Sequence, residues 1–74
     1  MSNLTEQGFI DAIANEFVKE GKMKQHIAAD LALATYRIYK SDIGVKFGDE
    51  DYFWDQYAAK EVAWEYEISH WDGA

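Results

Sequence analysis

The chain has 74 residues, no cysteine and no proline, a hydrophobic share of 49%, an aromatic share of 16% and a formal charge of −7. Without cysteine there are no disulfides or thiolate metal sites, two histidines are too few for an imidazole-built structural zinc site, and no run approaches the ~18–20 apolar residues of a membrane span. The acidic balance repels nucleic acid and membrane phosphates and attracts basic protein surfaces.

That balance is uneven. Residues 1–48 hold six acids and six bases, whereas residues 49–74 hold eight acids against Lys60 alone. The apolar content exceeds that of a disordered chain, so the expectation is a single helical domain over 1–74. At this size its core supplies at most ~3–5 kcal/mol. The start, Met1-Ser2-Asn3-Leu4-Thr5-Glu6, has neither a basic stretch nor an apolar run; it does not read as a signal peptide, and a cytoplasmic location in the host cell is expected.

The spacing predicts a first helix over about Thr5–Lys19. Asn3 or Thr5 is placed to cap it, and Asn3 with Glu6 has the spacing of a capping box. Phe9, Ile10, Ile13, Phe17 and Val18 recur at helical steps and form one face. Gly21 suits the left-handed position beyond the helix end.

A second helix is predicted over about Met23–Tyr39, with Met23, Ile27, Leu31, Ala34 and Ile38 as its inner stripe. The segment from Gln25 to Ala34 is similar in part to a helix-turn-helix, but Ala32 stands where the turn glycine belongs, so a continuous helix is the better reading. Residues 41–48 form a connector. In it Val45 and Phe47 plug one end of the core, which ranks above a short strand at 43–47.

A third, long helix is predicted over about Glu50–Trp71, capped by Asp49, its first-turn acids suiting the positive helix end. At 100° per residue, Phe53, Tyr57, Trp64, Ile68 and Trp71 fall within a ~60° arc expected to face the core, with Lys60 snorkelling from the same arc. The fold class is therefore all-α, a small three-helix bundle with a long acidic, aromatic-rich C-terminal helix.

This third helix holds more apolar surface than one core needs. Trp54, Ala58, Val62 and Tyr66 form a second ridge at steps of four, flanked by Asp51, Asp55, Glu61 and Glu65. An apolar ridge with a carboxylate rim fits protein binding, because aromatics provide desolvation and charge provides steering. These eight residues are the expected partner-binding site. The competing reading makes Trp54 and Tyr66 ordinary core of a central helix.

Other motifs lead nowhere chemical. Glu67-x-x-His70 is a single copy of a motif that di-iron bundles need twice. The acids Asp49, Glu50, Asp51 and Asp55 lack the glycine of a calcium loop. No hydroxyl has an activating context, and no glycine-rich loop is built for phosphate. No enzyme activity, cofactor, metal or direct nucleic-acid contact is expected.

The expected function is that of a small acidic inhibitor of a nucleic-acid-handling enzyme, of the phage anti-CRISPR or anti-restriction kind. Carboxylates four residues apart on a helix stand ~6 Å apart, comparable to phosphates along a strand, which suits a DNA mimic. The partner would be a protein with a basic surface. The alternative is a homo-oligomeric structural or regulatory protein, a homodimer pairing its ridge across a two-fold axis.

Overall fold

A computed structural model describes residues 3–70. Three helices, α1 (Glu6–Gly21), α2 (Gln25–Ile43) and α3 (Gln56–Tyr66), are followed by a 3₁₀ turn at Ile68–His70, and there is no strand among the described residues. The all-helical bundle matches the sequence reading. The long C-terminal helix does not: α3 has 11 residues and starts six later than expected.

In α1 the expected face is the buried one. Phe9, Ile10, Ile13 and Phe17 lie in the core, but Val18, expected on the same face, is 37% exposed. Thr5, in an extended conformation, caps the helix by accepting the Gly8 amide at 3.0 Å. With Thr5 as the cap, Glu6 is the first helical residue and cannot close the expected box with Asn3; its carboxylate accepts from the Tyr36 hydroxyl. Gly21 is the last helical residue, and Lys22 takes the left-handed position beyond it, with φ 58°.

The inner face of α2 is Ala28, Ala32, Thr35 and Tyr36. The expected stripe is turned away by roughly 110° at 100° per residue: Ile27 is 48% and Ile38 55% exposed, Ala34 is exposed, and Met23 and Leu31 are half-buried. The physical reason is the way the volume is shared out. The small side chains of Ala28 and Ala32 let α2 approach closely, while Tyr36 and Tyr39 bring their rings to Phe9 at 5.9 and 6.4 Å between centroids.

Residues 44–55 close the end of the bundle as a series of turns. Gly44 (φ 69°) ends α2, and Gly48 (φ 90°) takes a second left-handed position. Val45 and Phe47 pack against the core as the sequence suggested. The main occupant of this end, however, is Trp54. It is fully buried, with Phe47, Phe9 and Tyr39 ring centroids at 4.8, 5.4 and 6.1 Å. Its indole N–H donates to the Asp49 carbonyl at 2.9 Å, and its own carbonyl accepts the Leu4 amide at 2.9 Å. The buried nitrogen is thereby satisfied, as a buried indole requires.

Asp55 rather than Asp49 caps α3, accepting the Ala58 amide at 2.9 Å. The helix turns Ala59, Val62 and Ala63 inward. The arc expected inside is mostly outside: Phe53 is 76%, Tyr57 66% and Trp64 38% exposed, and Lys60 is exposed. Ile68 is buried as expected, and Trp71 lies outside the described residues. Small side chains face inward here because rings from α1, α2 and the preceding loop already fill the centre.

Hydroxyl and indole donors stitch the helices together through carboxylates. Tyr36 donates to Glu6 at 2.6 Å (α2 to α1), Tyr66 to Asp42 at 2.8 Å (α3 to α2), and Trp64 to Glu16 at 2.9 Å (α3 to α1). Lys40 adds an ion pair to Glu6 at 3.6 Å and lies 5.2 Å from the centre of the Tyr36 ring. Burial, reinforced by the hydrogen bond to Asp42, pushes the Tyr66 hydroxyl up to about 12 from 10.0. Burial and the bond to Glu6 raise Tyr36 further, and burial raises Tyr39.

Two outcomes follow. Trp54→Ala is expected to cost ~3–5 kcal/mol, comparable to the whole stability of a domain this small, and Val62→Arg puts a charge into the core; both unfold the chain by circular dichroism, whereas Phe53→Arg leaves melting nearly unchanged. The tyrosines give the pH dependence. Their folded values lie above the unfolded one, so the stability they contribute is complete below pH 10.0 and is lost as pH climbs toward about 12. The melting temperature should fall across that window, and less steeply in Tyr66→Phe; an unchanged slope would mean that Tyr66 titrates freely.

Candidate protein-binding face

The loop entering α3 sets the site. Phe53 and Trp54 are consecutive residues outside any helix, and their side chains go opposite ways, Trp54 into the core and Phe53 into water. With Trp54 anchored in the core, Phe53 is driven outward. The Asp55 cap then starts α3, and Tyr57 in its first turn stands exposed next to Phe53. Phe53, Asp55, Tyr57, Ala58 and Glu61 line one shallow, largely apolar concavity. An adjoining one shares Phe53, Ala58 and Glu61 and adds Asp51, Glu65 and Tyr39.

The expected site is thus split. Trp54 and Val62 are buried, and Tyr66 is half-buried with its ring edge-on to Tyr39 at 5.8 Å, so the ridge of Trp54, Ala58, Val62 and Tyr66 is not a spare surface. The expectation fails for two reasons: α3 turns its small side, Ala59, Val62 and Ala63, inward and so puts Tyr57 and Trp64 outside, and Trp54, which precedes the helix start at Gln56, enters the core from the loop. Ala58 survives as the floor of the concavity, and Asp51, Asp55, Glu61 and Glu65 are gathered around it. Phe53 and Tyr57 are the aromatics beside this floor, and the sequence reading places both of them, with Trp64, in the core. For Phe53 the signal is Asp55, as good a cap as Asp49, which leaves Phe53 and Trp54 outside the helix; for Tyr57 it is the run of small residues, Ala59 and Ala63, on the opposite side of α3.

None of the four carboxylates pairs with a lysine or arginine among the described residues, and no base lines either concavity. Two exposed rings beside unpaired carboxylates can receive arginine or lysine side chains, which stack on ring faces and bond to carboxylates. Among the described residues no group of three or more His, Cys, Asp or Glu is arranged to hold a metal ion. His70 instead lies 3.0 Å from the Glu65 carbonyl. No helix among the described residues is long and apolar enough to cross a membrane. Compared with protein-family models, curated proteins and solved structures, the chain matches none.

Proposed function

We propose that this chain is a binding protein, not an enzyme, and that it docks the face built on Phe53 and Tyr57 onto a basic surface of another protein. The observation behind this reading is the pairing of the two most exposed large apolar side chains with unpaired carboxylates Asp51, Asp55, Glu61 and Glu65. Exposed aromatics of this size are costly to keep in water unless they are covered in use. A surrounding ring of negative charge selects arginine- and lysine-rich partners and speeds their approach.

Within that class, the favoured target is the nucleic-acid groove of a DNA- or RNA-handling enzyme, with the protein acting as an inhibitor that mimics the acidic strand. Glu61 and Glu65 stand one helical turn apart at ~6 Å, close to the phosphate step. Such grooves combine cationic walls with surfaces that stack bases, and Phe53 and Tyr57 offer rings to both. An inhibitor of the anti-restriction or anti-CRISPR kind would work in this way.

The test is a cleavage assay in which a restriction endonuclease and an RNA-guided nuclease are each titrated with the protein. Inhibition should compete with the nucleic acid and weaken as salt rises. Phe53→Ala and Tyr57→Ala should each cost about 10- to 30-fold in inhibition, and Asp51→Lys with Glu61→Lys should abolish it, with melting unchanged. Inhibition that ignores these substitutions, or the absence of inhibition at low salt, would overturn the reading.

A further inference from the structure

Two isoleucines of α2, Ile27 and Ile38, are turned away from the bundle, and Leu31 between them sits at the edge of the core with part of its side chain in water. Ile27, Leu31, Ala34 and Ile38 lie at alternating steps of four and three, within ~60° of one another on the helix. Ile27, Ala34 and Ile38 are exposed and Leu31 is half-buried. That spacing is the seam of a two-helix coiled coil, with Leu31 and Ile38 at one core position of the heptad and Ile27 and Ala34 at the other. Asp30 and Arg37, seven residues apart and both exposed, fall at the same flanking position. Neither has an ion-pair partner among the described residues.

We propose that this stripe binds a second copy of the chain, with the two α2 helices antiparallel across a two-fold axis. In that arrangement Ile27 meets Ile38 of the second copy, and Leu31 meets Ala34, a large side chain against a small one, on both sides of the axis. Asp30 of each copy then faces Arg37 of the other. A parallel pair would instead set Ala34 against its own copy and leave a gap.

Charge favours the same occupant. At −7 per chain two copies repel, and only a surface without excess charge lets them meet. α2 is such a surface, its two acids (Asp30, Asp42) matched by Arg37 and Lys40. The stripe shares no residue with the acidic face on α3, so this inference and the proposed function stand or fall separately.

The seam is short. From Ile27 to Ile38 it runs ~17 Å along the helix, less than a standard interface requires, so the dimer is weak and in rapid exchange, with a dissociation constant on the order of 100 µM. Sedimentation equilibrium of the full chain should show the apparent mass rising from 8.5 kDa toward twice that value with concentration. Ile38→Lys, at a side chain already in water, should hold the chain at the monomer mass with melting at low concentration unchanged.

Asp30→Arg and Arg37→Asp test the register. Each alone should weaken self-association by placing like charges opposite each other. An equimolar mixture of the two variants should associate at least as well as the unsubstituted chain. One variant then carries arginine at both flanking positions and the other aspartate at both, so each of the two cross-pair contacts joins opposite charges. A chain that stays monomeric at ~1 mM would overturn the proposal. A dimer indifferent to Ile38→Lys would overturn it too, and mixed charge variants that fail to recover would overturn the antiparallel pairing.

Discussion

The enclosure of Trp54 is the constraint on which the other features depend. Its ring is the broadest surface in the core, and it comes from a loop, not a helix. To deliver it there, the chain turns twice through left-handed glycines after α2. The loop then presents the Asp49 carbonyl to the indole nitrogen and binds the Leu4 amide through the Trp54 carbonyl. The N-terminal segment, the loop and the ends of α1 and α2 are thus tied at one point. The same geometry forces Phe53 into water and fixes where α3 begins. The element that closes the core therefore also creates the candidate binding face.

How far the fold was legible varied from helix to helix, for one physical reason. In α1 the apolar residues lie mostly on one side, so periodicity identified Phe9, Ile10, Ile13 and Phe17 as core and erred only at Val18, at the margin of that side. In α2 and α3 apolar residues cover more than one side, and hydrophobicity no longer selects a face. What selects it is fit. Ala28 and Ala32, or Ala59 and Ala63, admit a close neighbour whose rings already fill the space, while the bulkier Ile27, Ile38 and Tyr57 have no gap to enter. A reading that ranks faces by hydrophobic bulk chooses the wrong side whenever the core is built from aromatics on one element against alanines on another. That Asp51, Asp55, Glu61 and Glu65 gather around Ala58 did not depend on that choice, because their spacing in the chain is close; which rings stand beside them did depend on it.

The carboxylates also divide by position along the chain. Glu6, Glu16 and Asp42, all from the charge-balanced first part, accept hydroxyl or indole protons from a neighbouring helix and hold the bundle together. Asp49 and Asp55 order the turn and the helix start, accepting the amides of Asp51 and Ala58. Glu61 and Glu65 have no such duty, and Asp51 contributes only its amide. The negative excess of the last third is therefore not consumed by folding, and its repulsion is a standing cost in a domain with little stability to lose. Charge kept at such a cost, on residues the fold does not need, is the feature that the proposed docking on a basic partner would use.

Two surfaces on separate elements have a joint consequence. A dimer formed through α2 would hold two α3 faces at a fixed separation, and a partner with two basic sites would bind the second from a local concentration in the millimolar range. Weak self-association is then no handicap. A dimer with a dissociation constant near 100 µM is sparse in free solution, but it is favoured once one copy is docked beside a second basic site. Dimer formation and partner binding would each strengthen the other by the same factor, as linkage requires. The short seam of Ile27, Leu31, Ala34 and Ile38 suits this role better than a permanent interface would, because assembly is then governed by the target and not by the concentration of the protein alone.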